Sequence, residues 1–309
     1  MTVCVASVCD DGKSLVLVAD KMVGIGYITS EPDITKLLNL HKSWWVLFAG
    51  DPIASVFNIV EYAKKSLAKK RGVSVDEPIT LELAEEVIQQ AFHRKRMEDA
   101  EALYLKPIGW DIGSFNLHGN SRLPNFGQIQ QRIDDYSLPI ELLVAGFSEG
   151  KGHIFSLSGY GESRGIPTRH DVPGFYAVGS GSTGAVYMMY YRDMSSKMTT
   201  REAMYYAFEA KYFGEQASDV GQRTDMYLAT CDGKWIPLEE ENFVEGKLVP
   251  ICRRLQPKWL GKKDRAFLNS VRQLTDFGKI KDEPKKGKKK PGKPLPTPSS
   301  TSFLLPSPQ

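Results

Sequence analysis

The sequence predicts an α+β fold, and three patterns carry that expectation. Short runs of β-branched and apolar residues open the chain. Two long segments with apolar residues every three to four positions follow, and a second succession of strand-like and then helix-like segments comes after them. Periodicity alone reaches α+β and no further.

Taken in order, residues 2–9 and 14–20 read as a hairpin around Asp10-Asp11-Gly12. Strand-like runs recur near 25–30, 34–40 and 43–49. Asp51-Pro52 reads as a helix start, with a carboxylate at the N-cap and proline in the first turn. That helix runs to about Lys70 and presents Val56, Ile59, Val60 and Ala63 on one face. A second begins near Thr80 and ends near residue 104, with Ala84, Val87, Ile88, Ala91 and Phe92 as its apolar stripe. Residues 105–137 read as an insertion. Strands are expected near 140–147, 152–158 and 175–179, and a helix from about Thr183. Thr199 and Glu202 form a capping box that opens a helix to about Ala217. Strands near 225–231 and 234–238 complete the core.

Composition limits the function classes. With 309 residues and 41% hydrophobic content, the chain can bury a sizeable core. It contains no run of 18 or more apolar residues, so no membrane-spanning helix is expected. The N-terminus lacks the pattern of a secretory signal, which points to the cytoplasm. Cys4, Cys9, Cys231 and Cys252 show no CxxC pairing, and reduced, mostly buried thiols are expected. Five scattered histidines give no metal signature, and no cofactor is expected. Between Lys279 and Lys293 eight lysines face two acids, a local +6. The overall +3 therefore leaves −3 for the remainder. A mildly acidic body argues against nucleic acid as the partner.

The chemistry begins at Thr2. A threonine hydroxyl needs a base to become a nucleophile. Removal of Met1 would supply one on the same residue, because a free α-amine has an unperturbed pKa of about 7.7–8.0. Asp20, Lys36 and Gly50 follow at separations that give Thr2 a setting. Gly50 closes the apolar run Trp44-Trp45-Val46-Leu47-Phe48-Ala49.

Several segments together resemble the β-type subunits of the proteasome and their bacterial relatives, among the N-terminal-nucleophile hydrolases. They are Thr2-Val-Cys-Val-Ala6, Leu15 to Asp20, Gly26-Tyr27-Ile28, Ile34-Thr35-Lys36 and Phe48-Ala49-Gly50-Asp51. Leu142 to Phe147, Gly179-Ser-Gly-Ser182 and Glu215-Gln-Ala-Ser218 continue the likeness, which covers roughly residues 2–238. The order and spacing of these short motifs carry it. Four features depart from the family pattern. The first hairpin is two residues longer than usual, which leaves a rival register with Met1 in the nucleophile's place. Glu215 stands where aspartate is commoner, Lys21-Met22 follows Asp20 where an arginine is frequent nearby, and residues 105–137 are inserted.

The resemblance implies a four-layer αββα sandwich over residues 1–245, in which each sheet buries one face on the other and one under helices. Residues 246–280 would form an extension with an amphipathic helix from Pro257 to about Gly278, and 281–309 a disordered Lys/Pro/Ser-rich tail. It also implies a threonine-type endopeptidase with Thr2 as nucleophile. Lys36 would favour the deprotonated hydroxyl, Asp20 would balance Lys36, and the Gly50 N–H would stabilise the oxyanion. Ser182, Glu215 and Ser218 would orient the amine. Val23, Ile34 and Phe48 would line the primary substrate pocket and favour an uncharged apolar side chain. The implied partners are a peptide or unfolded-protein substrate and further copies of the chain in a ring, with room for an ATPase or other activator. Two alternatives stay open: a catalytically silent structural subunit, and a stand-alone amidase of the same superfamily.

Overall fold

A computed structural model describes residues 2–25, 28–30, 35–70, 77–161, 164–215 and 220–238. Over these the chain is α+β, with two antiparallel five-stranded sheets. Strands β1 (Cys4–Cys9) and β2 (Ser14–Asp20) form the opening hairpin in the register Cys4↔Ala19 to Cys9↔Ser14. The extra residues lie at its far end, in a 3-10 turn at Asp10–Gly12 where Asp10 and Asp11 take positive φ. Asp10 holds that turn to the sixth helix by accepting from the Thr200 N–H at 3.1 Å. The lengthened hairpin thus leaves the register at the Thr2 end undisturbed.

One continuous strand near 25–30 is replaced by a small hairpin, β3 (Val23–Ile25) and β4 (Ile28–Ser30). Next come β5 (Leu37–His41), β6 (Trp44–Gly50), α1 (Ile53–Lys69) and α2 (Leu81–Tyr104). Asp51 does not cap α1 through its side chain. Pro52 is the residue before the first helical turn, and its extended backbone sets where the helix begins. Thr80 does cap α2, accepting from Leu83 N at 3.2 Å.

The insertion is helical. A 3-10 turn at Lys106–Ile108 leads to α3 (Ile112–Arg122) and α4 (Phe126–Asp135). Phe115, Ile129 and Ile133 bury against Ala100 of α2 and Leu105. Arg96 of α2 donates to the carbonyls of Ile133, Asp134 and Tyr136 at 2.9, 2.7 and 2.9 Å, which satisfies acceptors at the end of α4. The insertion is therefore bound to α2 through both apolar and polar contacts.

The second half contains β7 (Ile140–Ser148), β8 (Lys151–Ser158), β9 (Thr168–Arg169) and β10 (Phe175–Val178). It continues with α5 (Ser182–Tyr191), α6 (Thr200–Gly214), β11 (Thr224–Thr230) and β12 (Trp235–Leu238). The two-residue β9 has no counterpart in the sequence reading. Both arms of the Thr199/Glu202 capping box are formed. The first sheet runs β10-β1-β2-β11-β12 and the second β5-β6-β7-β8-β9.

Alternation along each strand divides the core. Val3, Val5, Val16 and Val18 pack with Ala185, Met189, Ala207 and Phe208 of α5 and α6. Their sequence neighbours Cys4, Ala6, Leu15 and Leu17 pack with Leu47, Ala49, Leu143 and Ala145 of the other sheet. Trp44, Val46, Phe48, Leu142 and Val144 face the stripes of α1 and α2, including Val56, Ile59, Val87 and Ile88. A strand buried on both faces has no polar side to display, which explains the uninterrupted apolar run at 44–49.

Cys4 and Cys9 are buried free thiols, whereas Cys231 is exposed just beyond β11. Burial pushes Cys9 up to about 12 and Cys4 further still. Cys252, the amphipathic segment from Pro257 and the 281–309 tail lie outside the described residues.

Candidate active site

The site forms where β1, β2 and β6 end beside the β10–α5 turn. Thr2 precedes β1, Asp20 ends β2, Lys36 precedes β5 and Gly50 ends β6. Thr2 is nearly buried, Lys36 is 3% exposed and Asp20 is fully enclosed.

The Lys36 ammonium donates to Thr2 Oγ1 at 2.5 Å and to both Asp20 oxygens at 3.1 Å. A lysine this deeply buried needs a counter-charge, and Asp20 supplies it. Asp20 is itself satisfied by three backbone donors: Val3 N at 2.9 Å, Met22 N at 3.0 Å and Gly221 N at 3.1 Å. One carboxylate therefore ties the start of β1, the end of β2 and the segment before β11 to a single ammonium. That ammonium is aimed at a hydroxyl.

The nitrogen of Thr2 is a peptide N–H here, since Met1 precedes it. It donates to Ser180 Oγ at 3.2 Å. The Thr2 carbonyl accepts from Gly181 N at 3.2 Å and from Ser180 Oγ at 3.4 Å. Ser182, expected at this position, instead starts α5, with its backbone N–H bonded to Gly179 O at 2.9 Å. The serine that meets Thr2 is Ser180. Both hydroxyls belong to one Gly-Ser-Gly-Ser run, and turn conformation rather than composition selects between them.

Glu215, expected to help orient the amine, meets a buried lysine. It ends α6 and accepts from Lys211 at 2.5 Å. Lys211 is fully buried and donates as well to the carbonyls of Gly221 and Gln222, both at 2.9 Å. Glu215 thus balances a buried lysine that braces the segment ahead of β11. Ser218 lies outside the described residues.

Gly50 has φ +104, and a Cβ there would fall 2.2 Å from Pro139 O. Only glycine fits at that point. A cavity of about 410 Å³ opens over Thr2, Lys36 and Gly50. Val23 and Phe48 line it, joined by Met22, Asp51, Ile53, Pro139 and Tyr160. Ile34 lies outside the described residues. A second cavity of about 320 Å³ shares Thr2, Gly50 and Tyr160, and adds Ala49, Glu141, Gly179 and Ser180. Glu141 escaped the sequence reading. Its apolar surroundings in β7 left it looking like an ordinary polar position, and only the pairing Ala49↔Glu141 brings it beside Thr2.

Among the described residues no group of His, Cys, Asp or Glu is arranged to hold a metal ion, and no helix is long and apolar enough to cross a membrane. No protein-family model matches the chain, and no curated protein does either.

Proposed function

We propose that this chain is an N-terminal threonine hydrolase acting on peptide bonds, built on the four-layer αββα sandwich of the N-terminal-nucleophile hydrolases. The observation that carries the reading is the 2.5 Å contact between Lys36 Nζ and Thr2 Oγ1, with Asp20 enclosed behind the lysine. A structural ion pair alone has no need of a hydroxyl in front of it, at the mouth of a cavity.

Once whatever precedes Thr2 is removed, Met1 in this chain, its nitrogen becomes an α-amine held by Ser180. The amine takes the proton from Oγ as Oγ attacks the substrate carbonyl. Lys36 lowers the cost of the developing alkoxide. The Gly50 N–H is the proposed oxyanion donor, and one such donor is worth about 3–4 kcal/mol. The tetrahedral intermediate collapses to an acyl ester as the departing amine receives the proton. The α-amine then activates water, which releases the acid and restores Thr2.

An unshielded nucleophile of this kind would meet every folded protein around it, so we extend the proposal to a homo-oligomeric ring that encloses the sites. The chemistry is tested by reacting the mature protein with a threonine-directed electrophile and mapping the adduct. Modification at an N-terminal Thr2, absent in Thr2→Ala, is the expected result. A blocked N-terminus with no adduct at Thr2 would refute the peptidase. Sedimentation of an active 34.5 kDa monomer would refute the ring.

A further inference from the structure

Two cavities meet at Thr2, and they differ in lining. Both are lined by Thr2, Gly50 and Tyr160. The first has Met22, Val23, Phe48, Ile53 and Pro139 as apolar walls, with Lys36 and the exposed Asp51 also lining it. The second contains the Glu141 carboxylate.

Glu141 stands one residue along β7 from the partner of Gly50, in the register Gly50↔Ile140 and Ala49↔Glu141. One of its oxygens accepts from Gly179 N at 2.7 Å. Among the described residues its side chain makes no other hydrogen bond and no ion pair. A half-buried carboxyl group that accepts a single backbone N–H has acceptor sites left for a cationic partner. The cavity it faces lies near the lower limit of size for a small-molecule site, about 300 Å³, which accommodates one long side chain.

We propose that Glu141 forms a cation subsite on the leaving-amine side of the scissile bond, so that the preferred bond joins an apolar residue to a following arginine or lysine. This rests on the reading of Thr2 as the nucleophile. The apolar cavity receives the acyl residue, and the basic residue that departs with the new amine lies against Glu141. Because Glu141 also holds Gly179, and through that turn Thr2, the test must separate charge from positioning. Glu141→Gln does so, since its amide oxygen still accepts from Gly179 while the charge is gone.

The experiment compares blocked peptides with leucine before the bond and either arginine or citrulline after it. Wild type should prefer arginine by about tenfold in kcat/KM, a modest charge–charge gain for a partly solvated pair. In Glu141→Gln the ratio should fall below about twofold. A wild-type ratio near one, a ratio unmoved by Glu141→Gln, or a stronger preference for arginine before the bond would overturn the subsite. Calorimetric titration of the same peptides into Thr2→Ala protein reads the preference without turnover. Charge preference there, with no cleavage by wild type, would uphold the subsite and overturn the peptidase. Cleavage without charge preference would do the reverse.

Discussion

Gly179 lies against the carbonyl of Thr2 so closely that a Cβ built on it would fall 2.3 Å from Thr2 O. The same glycine takes φ +97 and donates its N–H to Glu141. The chain start is thus seated by backbone contact with a residue 177 positions away.

Gly179→Ala must therefore both strain its own backbone and push Thr2 out of place. Left-handed or rarer conformations cost a side-chain-bearing residue about 1–3 kcal/mol, and the clash adds to that. A fall in the urea midpoint equivalent to at least about 2 kcal/mol is expected, together with loss of electrophile labelling at Thr2. A wild-type midpoint would contradict the close approach.

Lys36→Met strands Asp20 in the core without its cation. Removing one partner of a buried pair costs about 3–5 kcal/mol. Asp20→Asn combined with Lys36→Met should be destabilised by less than the sum of the two single changes, with a coupling of at least about 1 kcal/mol. Additivity in the denaturation cycle would mean that the 3.1 Å pair contributes nothing.

The two serines of the turn should separate cleanly. Ser180→Ala removes the acceptor at 3.2 Å from the Thr2 nitrogen, and peptide hydrolysis should fall by tenfold or more because the base loses its orientation. Ser182→Ala touches only the first turn of α5 and should leave the rate within about twofold. The reverse order in kcat would return the orienting role to Ser182.

His170 gives a stability effect with a definite sign. Its ring stacks on Tyr176 with centroids 3.6 Å apart and shares a hydrogen bond of 2.8 Å with Ser156. Burial lowers its pKa to about 4, partly opposed by Asp171. Between that value and the unfolded value near 6.5 the unfolded chain binds more protons, so stability rises with pH across the window. The contribution is complete above about 6.5 and is lost as pH falls toward 4. His170→Phe keeps the stack and removes the titration, so its urea midpoint should decline less than that of wild type between pH 6.5 and 4. Parallel profiles would refute the assignment.

Much of the fold was legible in the sequence because its signals are local. Runs of β-branched and small residues along β1 and β2, a period near 3.6 along α1 and α2, and a threonine capping box each act within one turn or one strand. The Asp20–Lys36 pair was also legible, through the family resemblance and a buried lysine's need of a counter-charge, although Asp20 ends β2 of one sheet and Lys36 precedes β5 of the other.

What escaped the sequence depends on contacts between residues far apart in the chain. Ser180 rather than Ser182, and Glu141 beside Thr2, turn on local backbone rotation combined with cross-strand register. The sequence by itself determined the order of most strands and helices, because periodicity acts along the chain, and its family resemblance singled out Thr2, Asp20, Lys36 and Gly50. Only the tertiary structure decided which hydroxyl meets the Thr2 nitrogen and which carboxylate lines the second cavity. A hydrogen bond is made or lost over about an ångström, and that distance is set by packing across the sheets rather than by neighbours in sequence.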